Sequence, residues 1–133
     1  MNIAYSKKLY RWVLFRHIGA PDDLKGIHFD LLLEDKEFCR TWRLSDIPLL
    51  DGPYVHSDAI APHKLDWLDV EEKVVSGNRG VVTRVQKGIF LELLPSIKTS
   101  SIQLLLQWED VECVLVIDEN GCKILRKNSK YCL

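Results

Sequence analysis

Three residues near the start of the chain carry donor atoms suited to a metal ion: His17, and then His28 and Asp30 on either side of Phe29. On an extended strand, residues i and i+2 project from the same face. His28 and Asp30 therefore aim into one space while Phe29 turns away. His17 closes the preceding apolar run and supplies a third donor. Two imidazoles and one carboxylate suit a first-row divalent ion that keeps positions open for substrate. A His-x-Asp string also arises by chance, and a lone histidine at a strand end is more often structural than a ligand. The surroundings therefore decide.

The elements that must position this trio read as β. Tyr10 to His17 is rich in aromatic and branched residues and predicts a strand, followed by a loop with Gly19, Pro21 and Gly26. Ile27–Glu34 and Glu37–Leu44 predict a hairpin around Asp35-Lys36. With a two-residue turn there, Glu34 pairs with Glu37, Asp30 lies opposite Thr41, and His28 lies opposite Arg43. Cross-strand partners share a face, so Arg43 stands beside the metal donors, where a guanidinium can grip a phosphate or carboxylate through two hydrogen bonds. A one-residue slip would place Arg40 there instead. Residues 45–62, with Pro48, Pro53 and Pro62, predict a long irregular connection. His63 to Val75 predicts a short helix. Two more hairpins follow, Gly80–Gln86 with Ile89–Leu94 around Lys87-Gly88, and Ile102–Trp108 with Val111–Asp118. Asn120-Gly121 leads into a last strand at Lys123–Arg126. About eight strands at regular spacing make a mainly β domain, a small closed or nearly closed β-barrel with a short helix after the long loop. Residues 1–133 read as one domain with its core over about 10–126 and a tail at 127–133.

Composition narrows the function classes. A net charge of −1 gives no overall basic field to draw nucleic acid over long range. Lys7, Lys8, Arg11 and Arg16 at the start, and Lys123, Arg126, Lys127 and Lys130 at the end, read as solvated ends. Asp66, Asp69, Glu71 and Glu72 form an acidic patch that reads as a solvated helix face. Cys39, Cys113, Cys122 and Cys132 lack C-x-x-C spacing, which argues against a zinc knuckle or disulfide framework. No apolar run is long enough for a membrane span or a signal peptide, so the expectation is a cytoplasmic protein with reduced thiols. Trp12 and Trp42 read as core aromatics, and His56 as surface.

Taken in order, these strings resemble a known family. His17, then His28-Phe29-Asp30-Leu31-Leu32-Leu33-Glu34, then Arg40-Thr41-Trp42, is similar to the H-(loop)-H-Y-D-x-R-L-E pattern and the following S-W strand of the 3′-phosphoesterase domain of bacterial DNA ligase D. Downstream, His63-Lys64-Leu65-Asp66-Trp67-Leu68-Asp69-Val70-Glu71 resembles that family's D-H-P-L-E-Y-x-x-F-E segment. The resemblance runs from about Tyr10 to about Asp118 and rests on four polar positions matched in order.

The resemblance implies a compact β-barrel that binds manganese and trims nucleic-acid 3′ ends, removing a terminal ribonucleoside and then the 3′-phosphate. His17, His28 and Asp30 would be the metal ligands. His63 would be the histidine near the phosphate, orienting it or donating a proton to the leaving oxygen. Nucleic-acid 3′ ends, DNA or RNA, and DNA-repair proteins are the implied partners. Three positions depart from the pattern: the family's arginine after the motif aspartate is Leu32, its lysine after the S-W stretch aligns with Asp46, and its downstream tyrosine is Trp67. These departures favour a second reading, a non-catalytic metal-bearing module that binds a nucleic-acid end or a protein partner. A third, an iron oxygenase holding Fe(II) through His-x-Asp and a distal histidine, leaves His17 unexplained.

Overall fold

The structure, a computed structural model, describes residues 8–92, 94–97 and 101–127. Among the described residues the strands are β1 (Tyr10–Ile18), β2 (Ile27–Asp35), β3 (Phe38–Leu44), β4 (Ser57–Lys64), β5 (Glu72–Val74), β6 (Val81–Phe90), β7 (Ile102–Trp108), β8 (Val111–Asp118) and β9 (Gly121–Arg126), with a 3-10 turn at Leu65–Asp69. They form one antiparallel sheet in the order β4-β3-β2-β1-β6-β7-β8-β9, with β5 paired to β6. The sheet curls into a half-barrel. The connection after β3 crosses toward the far edge, where Leu50 bridges to Ile124 and Val55 to Cys122. The expected mainly β architecture is what the chain adopts, with the sheet curled as a half-barrel. No helix among the described residues is long and apolar enough to cross a membrane.

The sequence reading of individual elements needs four corrections. The predicted helix over 63–75 is β4's end, the 3-10 turn and β5. The irregular connection stops at residue 56, and β4 follows despite Pro62, because β4 is an edge strand and Pro62 lies where its register with β3 shifts. The hairpin over 80–94 is one continuous strand, β6. Gly88 serves close approach there, since a Cβ would come within 2.6 Å of both the Gln107 carbonyl and the Trp12 indole nitrogen. That indole donates to Gln107 O at 3.1 Å and stacks on Trp108 at 4.9 Å. The β2–β3 turn is Lys36-Glu37, with Lys36 at φ +62°, so Asp35 pairs with Phe38.

Two apolar clusters lie on opposite faces of β1–β3. The larger contains Trp12, Leu14, Phe29, Leu31, Leu33, Trp42 and Leu44 with residues of β7, β8 and β9. The smaller contains Val13, Phe15, Leu32, Cys39, Leu68 and Val82, with Leu65, Trp67, Val70 and Val75 packed against it. The 3-10 turn, with Val70 and Val75, thus forms a second layer over one face of the sheet, while β5 extends the sheet beside β6. The acidic residues there are partly neutralised: Asp69 pairs with Arg11 at 2.8 Å and Glu71 with Arg84 at 3.1 Å.

Candidate metal centre

β2 alternates as its sequence demands. Phe29, Leu31 and Leu33 enter the large core, which fixes the strand's roll and turns His28, Asp30 and Leu32 to the second layer. Antiparallel pairing with β1 sets His17 opposite His28 and Phe15 opposite Asp30. His17, His28 and Asp30 therefore converge, with one donor atom from each lying within 4.8 Å of the others. Asp30 Oδ2 is 3.4 Å from His28 Nε2 and 3.9 Å from His17 Nδ1. Donors held about 2.1 Å from one ion stand roughly 3–4 Å apart, and the two carboxylate–imidazole spacings fall in that range.

The hydrogen bonds around the trio leave lone pairs aimed at that space. His28 Nδ1 donates to Asp23 Oδ2 at 2.9 Å, and this bond holds the Asp23 carboxyl below its ordinary pKa. An ionised carboxylate only accepts, so the proton sits on Nδ1 and neutral His28 keeps its Nε2 lone pair free. His17 Nε2 donates to the Arg79 carbonyl at 2.7 Å, which leaves Nδ1 as the free donor atom. His28 Nε2, Asp30 Oδ1 and Arg43 Nε are buried without a hydrogen-bond partner among the described residues. Buried polar atoms normally find partners, and leaving one unmet costs about 1–3 kcal/mol. The two orphaned acceptors, His28 Nε2 and Asp30 Oδ1, fit a cation held with His17, whereas Arg43 Nε–H is an unmet donor suited to an anion beside it.

The sequence reading missed both supporting groups. Asp23 lies in the β1–β2 loop, which closes through Gly19 N–H to Gly26 O at 3.0 Å. The only signal was the adjacent pair Asp22-Asp23. Arg79 reaches His17 because Gly80 sits at φ +91° with its α-carbon against the Ile18 carbonyl, where any Cβ would collide.

Arg43 stands on the same face as Asp30, as expected, but the register differs: Arg43 is opposite Asp30, and Thr41 is opposite Leu32. The turn slides by one residue, which shifts the pairing by two and so preserves the face. Arg43 Nε lies 3.9 Å from Asp30 Oδ1, and its guanidinium bonds Asp22 at 3.2 Å and lowers that carboxyl's pKa. Arg40 sits on the other face and donates to Pro95 O.

His63 enters from β4, paired with Cys39 beside the bulge at Pro62. Its Nδ1 is 3.0 Å from Thr41 Oγ1, and that hydroxyl donates to Cys39 O at 3.1 Å. A hydroxyl has one proton, so His63 Nδ1–H donates to Thr41 and Nε2 carries the lone pair. Burial pushes the His63 pKa down, which keeps the ring neutral near pH 7. Trp67 packs edge-on against both His63 and Phe15.

These groups open into one cleft of about 690 Å³ whose lining includes His17, Asp30, Arg43, His63 and Trp67. Of the three departing positions, Leu32 is fully buried in the smaller core, Asp46 is exposed and bonds the Ile47 amide, and Trp67 forms a cleft wall. His56 is exposed and bonds Asp58 at 3.0 Å. Neither models of known protein families nor curated protein sequences match this chain.

Proposed function

We propose that this protein is a metal-dependent phosphoesterase acting on nucleic-acid 3′ ends, removing a 3′-phosphate or 3′-ribonucleoside, with manganese as its metal. The observation that carries the proposal is the convergence of lone pairs on His17, His28 and Asp30, the imidazoles oriented by Arg79 and Asp23, with His17 and Asp30 lining one cleft together with Arg43 and His63. His17, His28 and Asp30 would hold the ion. When bound, a divalent ion polarises a phosphoryl oxygen and offsets charge that builds in the transition state. Arg43 supplies a charged donor for phosphate oxygens, exchanging its exposed bond to Asp22 for one to substrate. His63 presents Nε2 to the cleft and is anchored at Nδ1, as a group that accepts a proton or a hydrogen bond must be. Trp67 and Phe15 exclude water from the His63 side.

The reading is tested with a manganese-supplemented assay on a labelled DNA primer ending in a 3′-phosphate or a single ribonucleotide. The parent should yield a 3′-hydroxyl, and Asp30→Ala should not. Manganese binding without conversion would overturn catalysis and favour the non-catalytic end-binding module. That second reading draws on Leu32, whose apolar packing removes a phosphate-gripping charge from the site face.

A further inference from the structure

The cleft carries more positive charge than one phosphate needs. Among the described residues Arg43, Lys64, Lys73 and Arg79 line it, against the two acids Asp22 and Asp30. With a divalent ion on Asp30, a terminal phosphate dianion would still leave the lining positive. Arg84, Arg126 and Lys127 lie outside the cleft lining and pair with Glu71, Asp51 and Glu112. Lys64 and Lys73 have no carboxylate partner among the described residues. They flank the 3-10 turn, Lys64 immediately after His63 and Lys73 with its ammonium 4.9 Å from the Trp67 ring. Trp67 is therefore not a free stacking platform: Lys73 covers it, and His63 and Phe15 pack against it. This wall presents cations, so it calls for an anion rather than a base.

We infer that Lys64 and Lys73 form a second anion subsite, which holds the phosphate preceding the terminal one, so the substrate is a polynucleotide end and not a small phosphomonoester. This rests on the phosphoesterase reading for the identity of the first phosphate. The volume of about 690 Å³ falls within the roughly 300–1,000 Å³ of clefts that hold whole small molecules, larger than a lone phosphate requires.

The test compares thymidine 3′-monophosphate with thymidine 3′,5′-bisphosphate by calorimetry on the manganese-loaded protein, using the parent, Lys64→Gln/Lys73→Gln and Asp30→Asn. The bisphosphate should bind the parent about tenfold more tightly, a difference of one decade in Kd. The double variant should lose that advantage while binding the monophosphate as the parent does. With a single-stranded oligonucleotide, its salt dependence should flatten by about 0.7 per lysine removed, which a merely structural role would not produce. Equal affinities for the two nucleotides in the parent, or an undiminished advantage in the double variant, would overturn the subsite and leave the phosphoesterase reading standing. If the lysine-dependent advantage survives but binding ignores manganese and Asp30→Asn, the subsite stands and the phosphoesterase reading falls.

Discussion

Strands β2 and β7 belong to one sheet but are built differently. β7 alternates, with Ile102, Leu104, Leu106 and Trp108 buried and Gln103 and Gln107 exposed, so only one of its faces meets a core. β2 is buried without a break from His28 to Leu33. The 3-10 turn and the β1–β2 loop lie over its second face and convert part of a water-facing surface into an interior. A polar residue on the exposed face of β7 keeps its water. His28 and Asp30 on β2 lose theirs, and three buried polar atoms at that spot find no hydrogen bond among the described residues. The second layer thus makes a buried site with unmet donors and acceptors at the edge of the cleft, at a cost to stability that β7 never meets.

Substitutions on the two strands should have opposite effects. Asp30→Asn on β2 should abolish manganese binding by calorimetry and move the denaturation midpoint of the metal-free protein little, because the amide keeps the side chain's volume and one acceptor oxygen. Leu104→Ala on β7 should cost about 2–5 kcal/mol in urea unfolding and move manganese affinity less than threefold. Manganese binding retained by Asp30→Asn would break the contrast.

A finer cut comes from the loop that covers β2. Asp23→Asn removes the charge that fixes the His28 proton on Nδ1. Metal affinity should fall about 10–100-fold with little change in stability. Unchanged affinity would mean that the strands alone orient His28.

The smallest effect is a pH dependence. Burial lowers the His63 pKa below its ordinary 6.5, so the unfolded chain binds the proton more readily than the folded one. Stability should therefore decline as pH falls from about 6.5 toward the folded-state pKa and level off below it. His63→Gln should flatten that slope in denaturation curves between pH 5 and 8. An identical slope in the variant would place the titration elsewhere.

Local pattern was enough to mark β1, β2, β3, β7, β8 and β9, because each is an apolar or alternating run bounded by turn residues. It misled at Gly88, where the signal for a turn is also the signal for backbone packed against an indole. It misled again at 63–75, where Leu65, Leu68 and Val75 gave a weak helical face but cover the smaller core from a 3-10 turn and from the residue after β5.

The trio His17, His28 and Asp30 was legible in the sequence because strand alternation fixes faces, and faces survive a register error of two. Arg43 kept its side for the same reason, although its partner was wrong. What the sequence by itself determined was therefore the side of the sheet on which each donor stands. Only the tertiary structure decided which carboxylate and which carbonyl orient the imidazoles, since Asp23 and Arg79 come from loops whose paths depend on Gly19, Gly26 and Gly80. It also decided that Lys64 and Lys73 share a cleft with Arg43. Alternation is a property of each strand alone, whereas loop closure and cleft lining depend on contacts between residues far apart in the chain, which no local pattern encodes.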